Sequence, residues 1–140
     1  TLAQGELPIA LRNEVEGVLS GQRIAVTLEN VGEAHPLSSR VEATLLRIAH
    51  EAATNVAKHA NASELTVSLT YQTDGVSLWI IDNGRGLTAS RKANRGRPEA
   101  GFGMRSMEER ARLIGAAIQF TEGPTGGTIV AISVPSDNRG

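Results

Sequence analysis

Apolar residues recur at two spacings along this 140-residue chain, and the switches between those spacings mark out its elements. Leu7 to Ser20 carries Ile9, Leu11, Val15, Val18 and Leu19 at helical intervals. Pro8 suits a first turn and Ser20-Gly21 suits a stop. Ile24, Val26 and Leu28 then alternate with Ala25 and Thr27, as on a half-buried strand. After a loop through His35-Pro36, Ser39-Arg40-Val41-Glu42 has capping-box spacing and predicts a helix from Ser39 to Ala60. Val41, Leu45, Ile48, Ala52 and Val56 form its buried stripe. Glu51, Asn55 and Lys58 form a polar row along its edge, on one face by their spacings of four and three.

Leu65, Val67, Leu69 and Tyr71 alternate with polar residues, Asp74-Gly75 marks a turn, and Val76, Leu78 and Ile80 alternate beyond it. This predicts a β-hairpin. Asp82 keeps the parity of Leu78 and Ile80, so it points inward at the strand's end. Residues 83–100 show no periodicity and are rich in Gly, Arg, Asn and Ser, the mark of a functional lid or a disordered segment. A helix is expected to start between Gly103 and Met107, with Met104, Met107, Ala111 and Ile114 apolar and Gly115 ending it. Ile118 and Phe120 mark a strand, Gly123 to Gly127 a turn, and Val130, Ile132 and Val134 a last strand, with Thr128 sharing their parity. The expectation is an α+β fold: a two-layer sandwich of five strands covered by three helices on one face.

Composition changes this picture little. A length of 140 residues fits a single domain, and 40% hydrophobic with 21% charged residues is ordinary for a folded one. The absence of cysteine excludes disulfides and thiolate metal sites. No apolar run reaches transmembrane length, and nothing in the sequence resembles a signal peptide. A formal net charge of −1 gives no electrostatic reason to expect nucleic acid or an acidic membrane as a partner. Aromatic residues at 3% supply few stacking platforms for single strands. Positive charge is local: Arg85, Arg91, Lys92, Arg95 and Arg97 fall in a stretch without an acid between Asn83 and Pro98.

Four places hold polar or glycine residues that a plain fold does not need. In the Glu51, Asn55, Lys58 row, an amide oxygen suits Mg²⁺, a carboxylate can take a proton or orient water, and a lysine can meet phosphate. At Asp82-Asn83-Gly84-Arg85-Gly86, a carboxylate at a strand end can accept a hydrogen bond from an exocyclic amine. The glycines there let backbone approach a planar ligand. Gly101-Phe102-Gly103 opens a helix whose free amides suit an anion, and Gly126-Gly127-Thr128 precedes the last strand. Taken singly, these also fit a solvated helix edge, a common turn, a helix start and a hairpin.

Taken in order, the four resemble the ATP-binding domain of the GHKL superfamily of gyrase, heat-shock chaperone, mismatch-repair and sensor kinase ATPases. The segments RIAHEAATNVAKHANAS, DNGRGL, GFGMRSMEERARLIGA and EGPTGGTIVAISVP look like sensor histidine kinases of the nitrate-sensor-like branch. The resemblance runs from about Leu7 to Pro135 and implies a Bergerat-type mixed sheet, a lid over about 83–103, and Mg-ATP as ligand. By the resemblance, Asn55 is the Mg²⁺ ligand and Glu51 the base or water-orienting group. Lys58 is a phosphate contact, and Asp82 is the partner of the adenine amine. Gly84 and Gly86 shape the adenine pocket, Gly101, Gly103 and Met104 belong to the lid hinge and nucleotide site, and Thr128 lies near the adenine.

The same resemblance implies an ATP-dependent protein histidine kinase domain in the cytoplasm, without direct membrane contact. It would serve a two-component system in which a response regulator acts downstream. The chain lacks a histidine suited to accept phosphate: His35 is in a loop, His50 lies on the long helix, and His59 falls on that helix's apolar stripe. The chain is therefore expected to be a piece of a larger kinase. It would phosphorylate a histidine on a separate dimerisation domain rather than itself. A serine kinase of the anti-sigma-factor type, an ATP-driven clamp, and a nucleotide-sensing module without transfer are the alternatives. Intact Glu51, Asn55 and Asp82 argue against the last.

Overall fold

The computed structural model describes residues 6–84, 102–123 and 126–136, without the side chains of residues 59, 60, 102 and 103. Helix α1 spans Leu7–Val18, and strand β1 spans Ala25–Val31. Helix α2 covers Ser39–Asn55 and continues into a π-helical turn, Val56–Ala60. Strands β2 (Glu64–Gln72) and β3 (Gly75–Asp82) form the first hairpin. Helix α3 spans Phe102–Leu113, and β4 (Ala117–Glu122) and β5 (Thr128–Pro135) complete the chain.

The five strands make one mixed sheet in the order β1-β2-β3-β5-β4, with β1 parallel to β2 and every other pair antiparallel. The parallel pair follows from connectivity: α2 carries the chain from β1 back to the start of β2, the crossover that a parallel neighbour requires. All three helices pack side by side over one face, as the α+β expectation has it. Leu11 and Val15 of α1, Leu45, Ile48 and Ala49 of α2, and Met107 of α3 meet the inward row Leu65, Val67, Leu69, Leu78, Ile80 and Ile132. Burying each large aliphatic side chain contributes about 1.5–3 kcal/mol. The opposite sheet face is uncovered among the described residues, and Trp79 stands there 46% exposed.

Several boundaries differ from the sequence reading. α1 ends at Val18 rather than Ser20, and α3 begins at Phe102, ahead of the expected window. The cap of α2 is Ser38, not Ser39: Ser38 is extended and its Oγ accepts from the Val41 amide at 3.1 Å. That shift of one moves Glu42 past the capping-box position, and its side chain is buried instead. Two adjacent serines satisfy the same spacing rule, so spacing alone could not choose between them. At the other end Asn61 closes the helix in the left-handed conformation, φ 53° and ψ 44°.

The end of the β2–β3 hairpin away from Asp82 is tied by His35, whose Nε2 lies 3.0 Å from the Gln72 carbonyl and 3.2 Å from that of Gly75. Its ring also meets Tyr71 edge-on at 5.3 Å. Burial, helped by the charge of Glu42, pushes the Tyr71 hydroxyl above its ordinary pKa.

Candidate functional site

The alternation of β3 delivers Asp82 to the helix-covered face: Val76, Leu78 and Ile80 are buried, and so is Asp82, 7% exposed. Two further features fix its carboxylate. The Gly84 amide donates to Oδ1 at 2.8 Å, and the Thr128 amide on β5 also donates to it. Burial raises the Asp82 pKa above the ordinary carboxylate value, and those two backbone donors offset part of the rise. A half-desolvated acid with fixed orientation is suited to recognise one hydrogen-bond donor on a ligand.

Backbone of the turn before β5 packs closely against this strand end. Gly127 has φ +84°, and a Cβ there would stand 1.9 Å from the Asp82 carbonyl oxygen, so only glycine fits. A Cβ on Gly126 would come within 3.5 Å of the Gly84 carbonyl. Thr128, half-buried, sits at the first position of β5 beside Asp82, as its parity predicts. Sequence reasoning assigned nothing to Asn83, yet it clamps the turn. Its Oδ1 accepts from the Ser63 and Glu64 amides, both at 2.9 Å, and its Nδ2 donates to Ser63 Oγ at 2.9 Å. An Asx side chain bonding nearby backbone is the usual turn device, but here it reaches across to the start of β2.

The π-helical turn after α2 ends beside the same end of the sheet, because Ala60 is followed within four residues by the start of β2, whose Leu65 pairs with Asp82. Glu51 and Asn55, one helical turn apart, are both half-buried on α2. The third member of the row departs from it. Lys58 falls in the π-helical turn, whose i→i+5 bonding advances each residue by a smaller rotation and breaks the strict α-helical register. Lys58 is exposed and lines a polar pocket of about 340 Å³ with Gln22, Arg23, Ile24 and Asn61.

Glu51 is engaged more closely than expected. The Ser106 hydroxyl of α3 donates to its Oε1 at 2.9 Å, and Nε of Arg110 and of Arg47 lie 3.6 and 3.8 Å from the same oxygen. Its Oε2 is buried with no hydrogen-bond partner among the described residues. Neither Ser106 nor Arg110 was singled out from the sequence. Their spacing of four does place them on one face of α3, a signal that was available.

Gly86 and Gly101, the lid between them and its arginines lie outside the described residues. Gly103 and Met104 fall in the first turn of α3, with Met104 packed partly against the core. His50 turns away from the core stripe and bonds Glu14 of α1 through Nδ1 at 2.7 Å, while the side chain of His59 lies outside the described residues.

Residues 40–138 match the family described as histidine kinase-, DNA gyrase B-, and HSP90-like ATPases. The chain is similar to the nitrate/nitrite sensor protein NarQ of Escherichia coli, 36% identical over 137 residues. That match takes in 97% of this chain and 23% of NarQ. It is also 36% identical over 95 residues to the sensor protein VraS of Staphylococcus haemolyticus, over 68% of this chain and 26% of VraS. It therefore spans about a quarter of the length of these relatives. In fold it resembles the ATP-binding domain of PrrB from Mycobacterium tuberculosis, at 18% identity and a TM-score of 0.67, over 96% of each chain.

Proposed function

Because this chain belongs to the histidine kinase-, DNA gyrase B-, and HSP90-like ATPase family, we propose that it is the ATP-binding catalytic domain of a two-component sensor histidine kinase. On this reading it passes the γ-phosphoryl group of ATP to a histidine on a separate dimerisation domain, and a response regulator receives it downstream. The observation that carries the proposal is Asp82: a buried carboxylate, oriented by two backbone donors, beside a glycine that has no room for a side chain. That arrangement suits the edge of an adenine, whose exocyclic amine donates and whose plane slides against bare backbone. Guanine presents an oxygen at that place, which would face the carboxylate and be rejected.

Asn55 would hold Mg²⁺ through its side-chain oxygen, the hard neutral donor that this ion accepts alongside water and phosphate oxygens. When bound, the ion neutralises charge on the phosphates. Glu51, half-buried one turn before Asn55 and with Oε2 unpartnered among the described residues, is assigned the proton-accepting role. In the transfer step, a nitrogen lone pair of the acceptor imidazole bonds the γ-phosphorus. The bond to the bridging oxygen breaks, and ADP leaves with that electron pair. The proton lost by the imidazole goes to Glu51. The protein's part is positioning and charge, which dominate phosphoryl transfer generally. Lys58, Gly84, Gly86, Gly101, Gly103, Met104 and Thr128 complete the proposed nucleotide site.

Mixing this chain with the parent kinase's phosphoacceptor domain and γ-labelled ATP tests the reading. Label should appear on a histidine of that domain and none on this chain. Label on a serine of an added partner, or release of phosphate without any protein label, would overturn it.

A further inference from the structure

At the contact between α2 and α3 a partly buried carboxylate on one helix is met by a hydroxyl on the other. Four side chains meet there, each pair one helical turn apart on its own helix: Arg47 and Glu51 on α2, Ser106 and Arg110 on α3. Their bonding is uneven. Ser106 makes the only hydrogen bond to the carboxylate among the described residues, while Arg110 Nε, at 3.6 Å, remains buried and without a hydrogen bond. All three contacts converge on Oε1, and Oε2 has no hydrogen-bond partner among the described residues.

We infer that Ser106 is a positioning residue for phosphoryl transfer: by binding Oε1 it fixes the rotamer of Glu51 across the contact between α2 and α3. Arg110 adds its charge from α3 at 3.6 Å, and Arg47 flanks the same oxygen from α2 at 3.8 Å. This inference rests on the role proposed for Glu51. It extends that role to α3, whose first turn begins where the glycine-rich segment ends, so that a shift of α3 would be felt directly by Glu51. A hydroxyl suits the task because it bonds one oxygen only, whereas an arginine in hydrogen-bond contact would engage both.

The test compares Ser106→Ala, Ser106→Thr and Glu51→Gln, and the double variant Glu51→Gln/Ser106→Ala. ATP affinity is read by calorimetry and the transfer rate on the phosphoacceptor domain at saturating ATP. Ser106→Ala should slow transfer about tenfold while leaving the ATP dissociation constant within about twofold, and Ser106→Thr should restore most of the rate. The double variant should be no slower than Glu51→Gln alone, because Ser106 acts only through Glu51. A wild-type rate for Ser106→Ala beside a slow Glu51→Gln would overturn the positioning role and leave that of Glu51 standing. A wild-type rate for Glu51→Gln would overturn both. Equal losses of rate and affinity in Ser106→Ala would make the contact structural, and a faster Ser106→Ala would make it an inhibitory latch.

Discussion

At the scale of single residues, Asp82 concentrates the conflict between stability and binding. Its raised pKa means that the folded chain binds a proton more readily than the unfolded one between the ordinary carboxylate pKa and the raised value. Stability therefore falls as pH rises through that window, and ionised Asp82 is a burden at neutral pH. Asp82→Asn should raise the urea midpoint of the free chain at pH 7, and this advantage should vanish below the ordinary carboxylate pKa. The same variant should weaken ATP binding by about 1.5–3 kcal/mol, roughly 10- to 150-fold. A variant that is both less stable and unchanged in affinity would refute both statements. Asn55→Ala should reduce Mg-dependent ATP binding far more than adenosine binding, and calorimetry with each ligand distinguishes a lost metal ligand from a folding defect.

At the scale of elements, the strands were the most legible part of the sequence. Strict alternation placed Asp82 and Thr128 correctly, because a period of two allows only one choice of face. The row on α2 was legible as far as Asn55. Beyond it the π-helical turn shifts Lys58, and no residue pattern in Val56–Ala60 announces that change of bonding. Nor did periodicity show the Ser106–Glu51 bond, which joins residues 55 apart in the chain and depends on how two helices dock. Removing the cap of α2 with Ser38→Ala should lower stability by about 1 kcal/mol, as denaturant titration can read. Gly127→Ala should cost at least about 2 kcal/mol, since it combines a left-handed φ with a collision against β3. Its ATP affinity should fall as well, because the strand end that carries Asp82 must move.

At the scale of the whole molecule, the layers explain where the site lies. Three helices cover one face of the sheet, and the proposed nucleotide site lies at one end of it, where β3 stops, β5 starts and the π-helical turn leads into β2. The α+β sandwich was visible in the tally of elements, but the order β1-β2-β3-β5-β4 was not, since local patterns do not encode which strands pair across long separations. Similarity to sensor kinases reaches about a quarter of their length, and the chemistry proposed for this chain is nucleotide binding and phosphoryl delivery. Titrating the chain with ATP by calorimetry, with and without Mg²⁺ and against GTP, addresses that assignment most directly. Binding should be saturable, tightened by Mg²⁺ and at least about tenfold selective for ATP. Equal binding of GTP, or no binding by a folded chain, would contradict it.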